Sequence, residues 1–308
     1  MRLPKEPMAP ISSDEIPRGE DWGYQLKWDG VRLLAAVDNG RIQLYSRKML
    51  RKDSVYPEIM QLLQPMKGTY LIDGEAVAFN METQKPDFPR ILQRERSGGA
   101  AGSVKSGGGH MVLYVMFDLL HEGDQDLSGL PFSERHRRLL ALFPTKQPAM
   151  FVSDLFYDSD ALWRWIEERG WEGIVSKRLS SVYAEGKNHK DWFKKKTAIV
   201  EQVRIAGLTI RSGQVASFVM VRDGLFFGKA SLGLNVAMKR ELLDWGRRHE
   251  RAESWFHPLP EELKGEQVLW LKDGFPCTVT GLEITAAGLL RHPKLVSYEL
   301  GPERVIHV

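Results

Sequence analysis

The sequence predicts an α+β protein of two domains, the second a small β-barrel, and three observations lead there. The chain has 308 residues, room for two cores at roughly 100 to 200 residues each. Short strand-like runs fill most of the first two hundred residues, with two stretches that read as helices. After about Thr197 the pattern changes to strands interrupted by a single helix, which suits a barrel. The boundary is placed near residue 198, giving domains over 1–198 and 199–308, with no internal repeat across it.

Taken in order, Val31 to Val37 and Arg41 to Arg47 flank Asp38-Asn39-Gly40, the pattern of a hairpin with a tight turn. Tyr70 to Phe79 predicts a strand pair or a bulged strand, broken at Asp73-Gly74. The Gly- and Ser-rich run from Ser97 to Gly109 suits a mobile surface loop. It is not read as a boundary, because strand-like sequence resumes at once from Met111 to Phe117. Ser133 is expected to cap a helix over Glu134 to Phe143. Asp158 or Ser159 is expected to cap another that carries Leu162, Trp165, Ile166 and Arg169 and ends at Gly170. Strands are expected at Gly173–Lys177 and Asp191–Lys196, then at Val200–Ile210, Val215–Val221 and Leu225–Ala230. A helix from about Val236 to Arg248 and further strands from Gln267 complete the chain.

Composition narrows the function classes. With 43% hydrophobic and 27% charged residues, the chain is neither disordered nor fibrous. Its longest apolar run, Met111 to Phe117, is far short of the roughly 20 residues that span a bilayer, so no membrane contact is expected. The first residues, Met1-Arg2-Leu3-Pro4-Lys5-Glu6-Pro7, hold charges and prolines where a secretory signal needs an apolar centre, which points to the cytoplasm. Cys277 is the sole cysteine, which excludes an internal disulfide and a thiolate metal cage but leaves room for a carboxylate-held Mg²⁺. A net charge of +3 permits nucleic-acid binding without requiring it.

The chemistry-bearing residues come in small groups. In Trp22-Gly23-Tyr24-Gln25-Leu26-Lys27-Trp28-Asp29-Gly30-Val31-Arg32, the apolar Trp22, Tyr24 and Leu26 alternate with Gly23, Gln25 and Lys27. As a strand this puts Gln25 and Lys27 on one face, roughly 7 Å apart, where they would hold a ligand with two chemically different ends. Trp192, Lys194 and Lys196 alternate with Phe193 and Lys195, placing two cations on one side, as a solvated basic edge strand would also do. Asp73-Gly74-Glu75 and Glu172-Gly173 each set a carboxylate beside a glycine, a pairing common in turns. No group is specific alone; the ordered set is.

That ordered set resembles the nucleotidyltransferase superfamily of ATP-dependent DNA ligases, of the bacterial ligase-D type. Lys27-Trp28-Asp29-Gly30-Val31-Arg32 matches the first family motif, and Ser46-Arg47 the arginine on the next strand. Leu71-Ile72-Asp73-Gly74-Glu75 and Val115-Met116-Phe117-Asp118-Leu119-Leu120 match the third motif and its companion. Glu172-Gly173-Ile174-Val175-Ser176-Lys177 and Asp191-Trp192-Phe193-Lys194-Lys195-Lys196 are similar to the fourth and fifth, and Leu130-Pro131-Phe132-Ser133-Glu134-Arg135 to a linking segment. The match spans most of residues 7 to 210. Leu290-Arg291-His292-Pro293-Lys294-Leu295 resembles the last motif.

The resemblance implies an adenylation domain of antiparallel sheets with flanking helices, followed by an OB-fold. It implies that Lys27 attacks the α-phosphate of ATP to form lysyl-AMP, and that AMP then passes to a 5′-phosphate at a break in duplex DNA, which the 3′-hydroxyl seals. Only a neutral amine attacks, and an unperturbed lysine, with a pKa of roughly 10.4, is almost wholly protonated near neutrality. Cations at Lys194, Lys196 and Arg32, with a divalent metal, are expected to promote loss of that proton and to stabilise phosphate charge. By the same resemblance, Gln25 and Leu26 lie at the base, Phe117 stacks on adenine, Arg32 and Arg47 grip phosphate or ribose oxygens, and Lys177 contacts phosphate or substrate. Glu75 and Glu172 serve as ribose contact and as ligands of Mg²⁺ or Mn²⁺.

Two departures stand out. The family commonly has Glu where this chain has Gln25, which puts strict base discrimination in question, and Glu299 stands where a second arginine is usual, with Arg304 as a substitute. Lys229, Arg240, Arg247, Arg248 and Lys272 are candidates to track a DNA backbone. A small ligase that grips DNA weakly implies help from a Ku-like end-binding protein; a monomer associated with the nucleoid is expected. An RNA ligase or RNA-capping enzyme, and an inactive nucleic-acid-binding scaffold, are the competing readings. The intact set of Lys27, Glu75, Glu172, Lys194 and Lys196 argues against the scaffold.

Overall fold

The computed structural model describes residues 1–98, 109–230, 233–285, 287–300 and 305–307. The expected Gly-rich loop falls almost wholly outside the described residues, as does Arg304. The chain divides into two compact units, Met1–Thr197 and Ala198–Val308.

The first unit contains the strands β1 (Ile11–Ser12), β2 (Trp22–Leu26), β3 (Val31–Asp38), β4 (Arg41–Ser46), β5 (Thr69–Asn80), β6 (Lys85–Pro86), β7 (His110–Glu122), β8 (Gln125–Asp126), β9 (Met150–Val152), β10 (Gly173–Arg178) and β11 (Trp192–Lys196). Its helices are α1 (Pro57–Leu63), α2 (Phe88–Arg96), α3 (Phe132–Leu142) and α4 (Ser159–Arg169). One sheet runs β4-β3-β5-β7-β8, with β6 beside β5 and β9 beside β7; a smaller one runs β1-β11-β10-β2. The hairpin β3–β4 turns at Asn39 and Gly40, both with positive φ (49° and 84°), the conformation that Asn-Gly supplies most readily.

Alternation sets the layers. Leu33, Ala35 and Val37 of β3 join Tyr56, Ile59, Leu63, Ile72 and Tyr114 in one buried cluster, while Leu34 and Ala36 join Met8, Leu71, Leu120, Phe132 and Trp192 in another. Each fully buried Leu or Ile stabilises the unit by about 1.5 to 3 kcal/mol. Asp158 caps α4 through the backbone N–H groups of Asp160 and Ala161, and Gly170 ends it in the left-handed region, both as expected. Ser133 does not cap α3. The helix starts one residue earlier at Phe132, with Pro131 at the cap, and the Ser133 backbone N–H donates to Leu179 O instead. Helices α1 and α2 are absent from the sequence expectation because each carries a proline in its first turn, Pro57 and Pro89, which reads as a breaker yet is tolerated there.

Among the described residues the second unit is strands around one α-helix, α5 (Val236–Arg248), whose Met238, Leu242 and Gly246 are buried, with a short 3-10 turn at Glu261–Leu263. Its main sheet contains β12 (Ile199–Arg211), β13 (Gln214–Arg222), β14 (Leu225–Ala230), β15 (Glu250–Arg251), β16 (Gln267–Gly281), β19 (Lys294–Glu299) and β20 (Val305–His307), while β17 (Glu283–Ile284) and β18 (Leu290–Arg291) form a separate two-stranded sheet. The pairing order is β14-β13-β12-β16-β19-β20. Phe218, Phe275 and Tyr298 pack ring against ring at its centre.

Candidate active site

Within the first unit, β2 behaves as its alternation requires. Trp22 and Tyr24 are buried with Leu162, Ile166 and Ile174, and Leu26 packs against the same cluster. The other face turns Gln25 and Lys27 into a cavity of about 480 Å³, a size suited to a small-molecule ligand. Arg32 from β3, Arg47 just after β4, Glu75 from β5, Phe117 from β7, Lys177 from β10 and Lys194 from β11 line the same cavity, as does Leu26.

Two glycines let the strands approach. A Cβ on Gly30 would lie 2.4 Å from Ala76 O and 2.9 Å from Glu75 Cγ, so only glycine lets the turn after Lys27 lie against β5. Gly173 has φ +151°, and its Cβ would meet Lys195 O at 2.1 Å. There β10 starts, and its carbonyl accepts the Lys27 backbone N–H at 2.8 Å. This places Glu172 beside Lys27: its carboxylate accepts a hydrogen bond from Lys27 Nζ and lies 3.0 Å from Lys196 Nζ. Sequence reasoning expected Glu172 as a ribose contact or metal ligand and cations close to Lys27; the structure puts the Glu172 carboxylate between Lys27 and Lys196. Lys194 stands nearby with its pKa lowered, first by burial and then by the charges of Lys27 and Lys196.

Phe117 reaches the cavity through a bulge. Gly74 of β5 pairs with Met116 and Asp73 with Asp118, which leaves Phe117 unpaired and turned out of the core around it. The bulge also sets two carboxylates directly opposite each other. Each is neutralised by its own arginine: Asp73 takes Arg32 in a two-pronged pair at 2.5 Å, and Asp118 takes Arg135 at 2.8 and 2.9 Å. The Asp118–Arg135 pair is fully buried, and removing one partner of such a pair costs about 3 to 5 kcal/mol. Tyr183 donates to Asp73 at 2.6 Å. Arg32, expected to grip phosphate or ribose, thus spends two nitrogens on Asp73 and one bond on Met8 O, and lays its guanidinium 4.6 Å from the centre of the Phe117 ring.

Lys177 is buried at 2% exposure, ringed by Phe117, Phe132 and Trp192 at 4.1 to 4.5 Å, and donates weakly to Phe117 O at 3.4 Å. Burial pulls its pKa down to about 7, with Arg32 and Arg135 adding repulsion and Asp118 and Asp73 opposing. Glu75 moves the other way. Burial pushes its carboxyl up to about 8 against the attraction of Arg32 and Lys27. Arg47 is half exposed and loosely paired with Glu6 at 3.4 Å.

Several cavity residues escaped the sequence reading. Lys48, Lys52 and Lys187 add cations to the lining, Lys52 held by Glu95, which also accepts from Tyr56. Ser153 and His136 stand behind Gln25. Their only sequence signal is proximity to motif residues. In the second unit, Lys229 is engaged by Glu266 at 2.9 Å, whereas Arg240, Arg247, Arg248 and Lys272 are exposed. Arg291 is paired with Glu283 at 2.6 Å, and Glu299 lies on β19.

Among the described residues no group of three His, Cys, Asp or Glu side chains is placed to hold a metal, and no helix is long and apolar enough to cross a membrane. A divalent cation here would have Glu75 or Glu172 and would take its other ligands from water and substrate phosphate, which is the habit of Mg²⁺. Glu75 suits this: it is half-buried at the cavity wall, and a cation would offset the burial that now disfavours its charge.

Strand order, cavity and lysine–carboxylate cluster together define a nucleotidyltransferase fold of the ligase class. The family described as ATP dependent DNA ligase domain matches residues 10–196, and the chain belongs to it. Among relatives, the multifunctional non-homologous end joining protein LigD of Pseudomonas aeruginosa is 27% identical over 292 residues, covering 90% of this chain and 33% of that protein. A DNA ligase of Halobacterium salinarum is 27% identical over 306 residues, covering 92% and 53%. The chain spans about a third to a half of the length of these curated relatives. Among solved structures, mycobacterial DNA ligase D complexed with ATP and MES is 25% identical, with a TM-score of 0.56 over 98% of each chain.

Proposed function

We propose that this chain seals 5′-phosphate/3′-hydroxyl breaks in duplex DNA with ATP, through a lysyl-AMP on Lys27. The observation that carries the reading is the convergence on one cavity of Lys27, Glu75, Phe117 and Lys194, with Glu172 and Lys196 behind them. Phe117 offers a ring face to the adenine, and Glu75 an acceptor to the ribose. Lys194, Lys196 and Arg47 face the phosphates, with Lys177 beneath. In the first step a bond forms between Lys27 Nζ and the α-phosphorus, and the bond to the β-phosphate oxygen breaks, releasing pyrophosphate. The Lys27 proton must leave first, and Glu172, already hydrogen-bonded to that nitrogen, is placed to receive it. A Mg²⁺ or Mn²⁺ held by Glu75 or Glu172 would screen charge on the phosphates.

The family supports duplex DNA as the substrate class, and the likeness to an end-joining protein supports a repair role; a Ku-like end-binding protein is the partner this reading calls for. We place the protein in the cytoplasm at the nucleoid, as a monomer with an adenylation domain over 1–198 and an OB-fold over 199–308. Incubation with α-labelled ATP and Mg²⁺ should label the protein, and Lys27→Ala should remove the label. Lys27→Arg should remove it too, since a guanidinium does not deprotonate. A label that survives Lys27→Ala would overturn the mechanism. Label from GTP in place of ATP would favour the capping-enzyme reading.

A further inference from the structure

After β4 the chain makes a closed turn before it continues to α1. The Ser46 backbone N–H donates to Leu50 O at 2.9 Å, the Met49 N–H to Ser46 O at 2.8 Å, and the Leu50 N–H to Ser46 Oγ at 3.2 Å. Next to the turn Tyr45 and Arg51 form an antiparallel bridge, and the Lys52 N–H donates to Leu44 O at 2.8 Å. Leu50 is thus fixed from both sides. Met49 completes the turn at φ +58°, a left-handed conformation uncommon for a residue with a Cβ and found most often at sites that use it.

What the turn holds in place is an apolar side chain turned outward. Leu50 is 60% exposed and lies on the rim of the cavity that contains Lys27. A single leucine on a surface is ordinary. This one stands among cations: Arg47 and Lys48 precede it and Arg51 follows it, all exposed, and Lys187 and Lys194 line the same cavity. Arg51 is paired with Asp53 and Arg47 loosely with Glu6, and the turn stays positive with both partners counted. A cationic rim draws a polyanion, and a fixed apolar tip within it calls for an apolar surface on that polyanion. Duplex DNA supplies both, with phosphates outside and sugar carbons and base edges between them. At a break the backbone no longer ties neighbouring nucleotides together, so those apolar faces are most open there.

We propose that Leu50 packs against the sugar and base edge of a nucleotide beside the break, seating the DNA at the cavity by an apolar contact that no charge supplies. The inference rests on the reading of the chain as a DNA ligase. The cations of the turn set how strongly the duplex is held; Leu50 sets where the break sits.

The test uses the full chain and a nicked duplex whose 5′-phosphate already carries AMP, so that sealing needs no ATP. Leu50→Ser should raise the DNA concentration for half-maximal sealing by roughly tenfold, the lower end of what burying a leucine contributes. Leu50→Met, still apolar and of similar volume, should stay within about threefold of the unmodified protein. Self-labelling with ATP should be the same in Leu50→Ser as in the unmodified protein, because the tip lies at the rim. Salt separates the apolar contact from the charges around it. The half-maximal concentration should rise with salt at the same logarithmic slope in Leu50→Ser and the unmodified protein, whereas Lys48→Gln should make that slope shallower by about one. An unchanged half-maximal concentration in Leu50→Ser would overturn the proposal. So would a labelling rate that falls by the same factor as sealing, or a salt slope that moves as it does in Lys48→Gln. A protein that never labels with ATP overturns the ligase reading; one that labels and seals yet is indifferent to Leu50 overturns this inference alone.

Discussion

Lys27 and Lys177 line one cavity in opposite surroundings. Lys27 is bonded to the carboxylate of Glu172 and keeps 18% of its side-chain surface exposed. Lys177 sits under three aromatic rings, almost wholly buried, with the Phe117 carbonyl as its hydrogen-bond acceptor. A charged amine is held by Coulomb attraction in the first place and by ring faces in the second, where burial has already pulled the pKa down to about 7. The contrast shows how one cavity keeps one amine at its open face, paired with a carboxylate, and holds another inside its wall among rings.

The largest effect should follow from cutting the first amine's partner. Glu172→Gln leaves Lys27 and Lys196 without the carboxylate between them and removes the group placed to take the proton. Labelling by ATP should fall on the order of 100-fold, the lower range for loss of an acid–base group. A rate within threefold of the unmodified protein would mean that Glu172 only holds Lys27 in place. The next effect concerns the ring that touches both environments. Phe117→Leu removes the ring that Arg32 and Lys177 approach at 4.6 and 4.4 Å and that the proposed function assigns to the adenine. The KM for ATP in the labelling reaction should rise on the order of tenfold, as expected from loss of a base–aromatic stack. An unchanged KM would place the adenine elsewhere.

What the sequence disclosed of these two lysines follows from the physics of strands. Period-two alternation along β2 reports which side faces the core, so Gln25 and Lys27 could be assigned to one face from the chain alone. Arg41–Ser46 and Val236–Arg248 were legible for similar reasons, one through its Asn-Gly turn and the other through a long apolar stripe. The Phe117 bulge was not. It depends on the pairing of β7 with β5, some forty residues away, which no local pattern encodes. The arginine that answers each carboxylate is likewise distant in sequence, so Arg32 looked free for phosphate while the fold had given it to Asp73. Lys177 belongs with these: read along β10 alone it fits a surface lysine, and only the packing of Phe132 and Trp192 from other elements buries it.

The smallest expected effect would sharpen the contrast most. The ordinary pKa of Lys177 is 10.5 and burial brings it to about 7. Below pH 7 the side chain is charged both folded and unfolded, and the full cost of burying the charge falls on the folded state. Between 7 and 10.5 the unfolded chain binds the extra proton, so stability rises with pH; above 10.5 the cost is gone. The three ring faces offset part of it throughout. Lys177→Met, an apolar chain of similar length that packs well against rings, should therefore raise the Tm, on the order of 2 to 4 °C at pH 7 and by less at pH 9.5. Lys177→Arg, which keeps its charge across that range, should lower the Tm at both. An equal gain for Lys177→Met at both pH values would show that Lys177 already shares the ordinary titration of an exposed lysine, and the distinction between the two amines would be one of partners alone.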